Sequence, residues 1–430
     1  MSIALRFENG TVPTLHLPLD LSDVEIVALT QDPEGYHLTV QSVVRHTACR
    51  QCGTQISQLH GYADPITLRH LAVFNHPLWI TFRAPRFVCS QCSTPHHPVT
   101  TTQSVDWHTP RSPLTRAYED HILRQLINST IEDVRRKENL PYDTVLGVLE
   151  RRIATTVDWT EFTELEILGI DEIARRKGHR DFLAIITART PTGDTRLLAV
   201  LPNRDKITVK AFLDTIPARL RRTLRTICTD MWDGYVNAVR ESLLADPDCH
   251  AELVIDRFHV AQHYHQAVDA LRKEELKRLQ RELPAAEYQE LRGTLWLFRQ
   301  RRDTLTPDEQ TRLECLLART PRLRQAYDFR EQLTRLFDSP LTVSEARTKL
   351  QAWRQAVQAS ELHCFKAFLT TLENWFDEIL NYFHHRQTSG FVEGFNNKVK
   401  VLKRRCYGLL NVTHFFQRLY LDLEGYQSFA

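Results

Sequence analysis

The sequence predicts a multidomain α/β protein, and three observations carry that expectation. Two Cys-x-x-Cys pairs stand near the start, and three short helical patterns follow a proline-bounded linker. From residue 165 on, apolar strand-like runs alternate with helical ones. A chain of 430 residues has room for about two to four domains with sizeable cores. Its composition, 42% hydrophobic and 25% charged, is that of an ordinary soluble globular protein. A net charge of +2 does not announce a nucleic-acid partner, so local clusters must make that case. The N-terminus lacks the basic start and apolar core of a signal peptide, and no apolar run reaches membrane-spanning length. Nine cysteines, four of them in two close pairs, point to metal binding in a reducing compartment rather than to disulfides. The expected location is the cytoplasm, with no membrane partner.

Residues 1–108 form the first expected domain, which is β-rich. Cys49-Arg-Gln-Cys52-Gly and Cys89-Ser-Gln-Cys92 are separated by 36 residues. Zinc takes four soft ligands in a tetrahedron, and a two-residue gap lets one tight turn present two thiolates. The strand-like segments "PITLRHL" and "PLWITFRAPRFV" between the pairs fit a zinc ribbon holding one structural Zn²⁺. The alternative is four thiols with no ion; a redox dithiol would need only one pair. His96 and His97 are expected to be loop residues, although either could replace a ligand.

After "TPRSP" the pattern turns helical over 109–158. Leu114, Tyr118, Ile122, Leu123 and Leu126 recur at three- and four-residue steps, and Asn128 is the expected stop. Ser129-Thr130-Ile131-Glu132 reads as a capping box. A break at Asn139-Leu140-Pro141 precedes a third helix, Tyr142 to Ile153, with Val145, Leu146, Val148 and Leu149 on its apolar face. This pattern fits a helix-turn-helix whose last helix enters a major groove. With 8 basic and 7 acidic residues over 111–152, a plain helical connector is the competing reading.

The third domain is expected over 159–260 and 386–430. Strand-like runs are Leu165–Ile170, Phe182–Thr187, Arg196–Leu201, Thr223–Cys228 and Glu252–Ile255, with a helix over Lys206–Arg222 before the fourth. Three adjacent strands followed by helix, strand, helix, strand is the order of an RNase H-like catalytic domain. In that fold one acid lies on the first strand, here Asp171, and a second just past the fourth, here Asp230 in "TICTDMWDGY". The third comes from a later helix, for which "SGFVEGFNNKVKVLKRRCYG" offers Glu393. On that helix Val392, Phe395, Val399, Leu402 and Cys406 share one face, and Glu393, Asn397, Lys400 and Arg404 another. An acid at the end of a buried strand is costly without a cation. Three such carboxylates suit two Mg²⁺ or Mn²⁺ ions, hard cations that take oxygen ligands. Arg175, Arg176 and Lys177 follow Asp171 closely enough to meet a phosphate backbone, as do Asn397, Lys400, Lys403 and Arg404 on the helix. The amphipathic helix with a solvated basic face is the alternative there. Glu172 and Asp233 rank below the three acids.

The second and third acids are 163 positions apart, and the chain between them is helical in pattern. An all-α insertion over 261–385 is therefore expected, with Arg299, Arg301, Arg302, Arg322, Arg324 and Trp296 available to DNA; a Trp is more often core than a base-stacking wedge.

These segments together resemble the DDE transposases of bacterial insertion sequences, ISL-three type. The resemblance rests on the Cys pairs, the helix-turn-helix, "LGIDEIARRKGH", "CTDMWDGY", "VIDRFHV" and "VEGFNNKVKVLKRRCYG", in that order along nearly the whole chain. It implies Asp171, Asp230 and Glu393 as the catalytic triad, and an Asp-x-x-His element at Asp256–His259 in which His259 positions the scissile phosphate or a metal-bound water, or is a satisfied structural residue. It implies binding of double-stranded DNA at the element's inverted ends, metal-dependent cleavage, and joining of a 3′-OH to target DNA by a homodimer or larger assembly at the bacterial nucleoid. A catalytically silent zinc-containing regulator and a nuclease without strand transfer are the competing readings.

Overall fold

The computed structural model describes residues 2–4, 14–16, 19–174, 181–291, 293–386, 390–406 and 411–429. Two compact units emerge, residues 1–154 with 420–430, and residues 155–419.

The first unit holds β1 (Ser2–Ala4), β2 (Thr14–His16), β3 (Val24–Asp32), β4 (Gly35–Ser42), β5 (Thr47–Ala48), β6 (Gln55–Ile56), β7 (Leu59–Tyr62), β8 (Ile66–Val73), β9 (His76–Phe82), β10 (Pro85–Val88) and β11 (Thr100–Thr102). The largest sheet has the order β3-β4-β9-β8. Period-two alternation turns Leu38, Val40, Leu78, Ile80 and Phe82 inward against Leu68 and Trp107. The β3–β4 hairpin turns at Gly35, φ +143°, where a Cβ would lie 2.2 Å from the Pro77 carbonyl oxygen. Only glycine fits that position. The ribbon is built from the β5–β6 pair and the small sheet β11-β10-β7.

Three helices follow: α1 (Arg116–Leu126), α2 (Ile131–Glu138) and α3 (Tyr142–Arg152). Asn128 and Asn139, at φ 55° and 52°, end α1 and α2 in the left-handed conformation that Asn tolerates. The cap of α2 is one residue later than the sequence suggested. Thr130 accepts from the Asp133 N–H at 3.0 Å, and Glu132 instead pairs with Arg135 and Arg136, each at 2.6 Å. Tyr118, Ile122, Leu126, Val134, Val145 and Leu149 form the core of the three helices.

The second unit opens with β12 (Ile167–Ala174), β13 (Phe182–Arg189) and β14 (Thr195–Leu201). Next come α4 (Lys206–Leu213), α5 (Ala218–Arg221), β15 (Thr226–Thr229), α6 (Asp233–Glu241) and β16 (Glu252–Ile255). The sheet order is β14-β13-β12-β15-β16, antiparallel over the first three strands and parallel from β12 to β16. Strands buried on both faces need continuous apolar runs, which explains why these segments read as runs rather than as alternations. The helix expected over Lys206–Arg222 is two helices, because Pro217 has no N–H to carry a helical ladder through. The first strand runs four residues beyond Ile170, as far as Ala174.

A long helical stretch then carries α7 (Arg257–Glu282), α8 (Ala285–Glu290), α9 (Leu295–Arg299), α10 (Pro307–Arg319), α11 (Pro321–Asp338), α12 (Val343–Ala359), α13 (Lys366–Asn374) and α14 (Phe376–His385). Thr306 with Glu309 and Thr342 with Glu345 make full capping boxes at α10 and α12. These helices share one apolar core with the sheet, running from Ile170, Ile227 and Val254 to Leu316, Leu333, Trp353 and Phe368. On the edge strand β16, the Asn381 side chain of α14 donates to the Leu253 carbonyl at 2.9 Å, satisfying an acceptor that an open edge would expose. The chain ends with α15 (Gly390–Arg405) and α16 (Val412–Phe429). From Tyr420 on, α16 belongs to the first unit, where Leu421 is buried with α1–α3 and Asp422 accepts from the Asn128 N–H at 2.9 Å. This differs from the expected grouping of all of 386–430 with 159–260, because the end of α16 packs with α1–α3.

Candidate active site

Register places the first two acids. Ile170 of β12 pairs in parallel with Thr229 of β15, so the next residues, Asp171 and Asp230, lie side by side where the parallel strands end. Thr229 likewise pairs with Ile255, so Asp256 is third in the row. Asp171 is only 7% exposed, and its Oδ1 accepts from the Glu172 N–H at 2.6 Å. Oδ1 of Asp230 is buried with no hydrogen-bond partner among the described residues. Burial, then the charges of Glu172 and Asp171, push the Asp230 carboxyl up to about 8. The same cluster, after burial, pushes the Tyr235 hydroxyl upward. An orphaned buried oxygen beside a second buried carboxylate is the donor chemistry that a hard divalent cation satisfies.

The Asp256 carboxylate accepts from the Phe258 N–H at 3.1 Å and caps α7. His259 sits half-exposed on the first turn of α7, its ring edge-on to Phe258. Asp233 is exposed at the start of α6, where its charge complements the helix N-terminus. Glu393 lies in α15, but its side chain falls outside the described residues, as do Arg175, Arg176 and Lys177 altogether. Val399 and Leu402 are buried while Asn397, Lys400 and Arg404 are exposed, the two faces that the helical projection separates. Lys403 is half-buried, and its ammonium donates to the Ala174 carbonyl at 2.5 Å, joining α15 to the end of β12. Burial lowers its pKa.

Arg204, in the turn before α4, is a site neighbour that the sequence pattern does not single out. It bonds Glu172 at 2.6 Å and lies over the rings of Phe182 and Trp232. No local signal marks it, since its partners are remote in the chain.

Cys49, Cys52, Cys89 and Cys92 present sulfurs that all lie within 4.8 Å of one another. Cys52 and Cys89 are 3.7 Å apart, against about 3.8 Å for two sulfurs of a tetrahedral zinc site with Zn–S near 2.3 Å. Each pair sits on a tight turn, the Gly53 N–H bonding the Cys49 carbonyl and the Ser93 N–H that of Cys89. Thr54 holds the Cys52 thiol down to about 6, and backbone N–H groups lower Cys49. Cys92, bonded to Cys52 and desolvated, is pushed up to about 12. His96 and His97 are exposed and outside the cluster.

In the helix-turn-helix, the cations at the end of α3 are engaged internally. Arg151 bonds the fully buried Glu119 at 2.7 Å and Arg152 bonds Asp120 at 2.6 Å. Several arginines of the helical stretch are likewise paired: Arg301 with Asp338, Arg302 with Glu314, Arg324 with Glu314 at 2.8 Å, and Arg322 with Glu275 at 3.8 Å. Trp296 is 63% exposed, and the Arg299 side chain falls outside the described residues.

Residues 168–419, more than half of the chain, match the family of ISL3 transposases of the DDE type. The chain belongs to this family. Residues 103–153 of this transposase match the helix-turn-helix domain of transposase family ISL3, and residues 45–92 the zinc finger of transposases IS204/IS1001/IS1096/IS1165. It is 26% identical to the transposase for insertion sequence element IS1001 of Bordetella parapertussis, over 94% of this chain and 95% of that one. The transposase for insertion sequence element IS1557 of Mycobacterium tuberculosis is 22% identical over 94% and 93%. A chain of the Drosophila P element transposase strand transfer complex is 11% identical over 73% of this chain and 92% of its own, with a TM-score of 0.42, a likeness too coarse to bear on the site. The chain is therefore an enzyme of the transposase type with a zinc ribbon and a DNA-binding helix-turn-helix at its N-terminal end. Among the described residues no helix is long and apolar enough to cross a membrane.

Proposed function

We propose that Asp171, Asp230 and Glu393 hold two Mg²⁺ or Mn²⁺ ions, and that this transposase cuts the ends of its insertion sequence and joins the freed 3′-OH to target DNA. The observation that carries the reading is the pairing of Asp171 with Asp230 at the buried ends of adjacent parallel strands, one carboxylate oxygen having no partner among the described residues. A strand order of three antiparallel strands followed by two parallel ones supports an RNase H-like domain. The helices between β16 and α15 support a helical insertion within it, over 261–385.

Such an ion pair, when bound, activates an attacking hydroxyl and stabilises the leaving oxygen of an in-line phosphoryl displacement. The chain's own residues supply position. The buried strands fix the first two carboxylates so that little reorganisation accompanies ligation, and α15 brings the third. Asn397, Lys400 and Arg404 line one exposed face of α15 and meet successive phosphates, as do Arg175, Arg176 and Lys177. Lys403 fastens α15 to β12 beside that path. His259 orients the scissile phosphate. The ribbon, holding one Zn²⁺, and the helix-turn-helix read the double-stranded ends. Both ends must be held together, which calls for a homodimer or larger assembly on the bacterial nucleoid, in the cytoplasm.

The test is strand joining by purified protein with Mg²⁺ and a labelled duplex carrying the element's ends. Wild type joins the label to a plasmid, whereas Asp171→Asn, Asp230→Asn and Glu393→Gln bind the ends and join nothing. Cutting without joining would turn the assignment to a nuclease, and full activity in Asp230→Asn would remove it from the site.

A further inference from the structure

We propose that Arg204 is a positioning residue that keeps the Glu172 carboxylate out of the metal site, leaving Asp171, Asp230 and the acid of α15 as the ligands. The inference rests on the two-metal reading above.

Glu172 follows Asp171 directly on β12, and the guanidinium that it binds lies over the ring of Trp232, two residues after Asp230. A carboxylate that close is a competing oxygen donor: drawn onto an ion, it changes the ligand set and the position of the reacting phosphate. Arg204 occupies it instead. The guanidinium Nη1 lies 2.6 Å from Oε2 of Glu172, with side chains only 27% and 22% exposed. The guanidinium is itself held between two rings, 4.3 Å from that of Phe182 and 4.1 Å from that of Trp232. Phe182 opens β13 opposite Ala174 of β12, and Trp232 stands two residues after Asp230. One cation thus joins the ends of the three strands that frame the carboxylates. A planar guanidinium can stack on rings and bond a carboxylate edge-on together; an ammonium cannot. A salt bridge kept only for stability needs neither the two rings nor a partner adjacent to a ligand.

The deciding experiment compares full-length wild type, Arg204→Ala, Glu172→Gln and the double variant, with Asp171→Asn as control. Mn²⁺ binding is followed by the loss of the free-ion EPR signal, and joining is measured in Mg²⁺. Arg204→Ala is expected to bind Mn²⁺ more tightly and to lose joining by roughly tenfold or more. Adding Glu172→Gln is expected to return joining to within about threefold of Glu172→Gln alone, since the competing oxygen is gone. A double variant as inactive as Arg204→Ala, with thermal melts like wild type, overturns the proposal and makes Arg204 a DNA contact. Should Arg204→Ala not fold, Glu172→Gln alone decides. Mn²⁺ binding retained supports the proposal; binding lost as in Asp171→Asn makes Glu172 a ligand. Failure of the two-metal reading looks different, because wild type and Asp171→Asn then bind Mn²⁺ alike.

Discussion

Replacing Asp230 by Asn removes the charge that the proposed metal site needs and also relieves the metal-free protein of a buried carboxylate. Its carboxyl, ordinarily near 3.8, is held up to about 8 by burial and by the charges of Glu172 and Asp171. The folded state therefore favours the neutral form of this acid. As pH rises above the unfolded value near 3.8, the unfolded chain gains from ionising while the folded one does not. Stability falls across that window and levels off above about 8. At about 1.4 kcal/mol per pH unit the penalty reaches about 4 kcal/mol at pH 7, and relaxation around the site brings the expected gain to about 2–4 kcal/mol. Asn keeps the shape and the acceptor oxygen that the Trp232 N–H uses. Metal-free Asp230→Asn should thus melt higher than wild type at pH 7, by about 5 °C or more for a unit of this size. The gap should close as pH approaches 4. Thermal melts from pH 4 to 8 in buffers freed of divalent ions, without a chelator that would strip zinc, measure it. Saturating Mg²⁺ should reverse the order, since wild type then gains the binding energy. Equal melting at every pH, or a gap that does not narrow toward pH 4, would refute the argument that Asp230 is a strained, desolvated carboxylate.

Three more outcomes follow from other parts of the molecule. Asp338 receives both Arg257 and Arg301, while Arg386 donates to the carbonyls of Phe337, Asp338 and Ser339; Asp338→Ala leaves the half-buried Arg257 without its carboxylate and should cost about 1–3 kcal/mol in urea melts. Gly35→Ala should lower the stability of the first unit by about 2 kcal/mol or more, read in the same melts, because the new Cβ would overlap the Pro77 carbonyl. The purified chain should carry one zinc by elemental analysis, and Cys89→Ser should lose it together with binding to the element's ends, while the far-UV signature of the second unit persists.

Much of this was legible locally. Cys-x-x-Cys spacing encodes a zinc knuckle within five residues, and capping boxes at Thr306 and Thr342 mark helix starts by sequence alone. Asn128 and Asn139 close their helices for equally local reasons. Boundaries were less legible where neighbours compete: Thr130 rather than Ser129 caps α2, and Pro217 divides a segment whose apolar pattern runs on. Among the arginines expected to be available to DNA, Arg302 and Arg324 pair with Glu314, and in the helix-turn-helix Arg151 and Arg152 pair with Glu119 and Asp120; no spacing rule connects these acids to them.

The order of the segments, the paired cysteines and the candidate acids all follow from residue type and short-range spacing. Which acids become neighbours follows from neither. Asp171 and Asp230 are 59 positions apart, and what unites them is the parallel register of β12 with β15, a property of two strands and not of either. The same holds for Glu172 and Arg204, for the four sulfurs from two distant turns, and for the end of α16 packed with the helix-turn-helix. Long-range pairing carries no signature in a single chain segment, since its energy arises only when both partners are buried together.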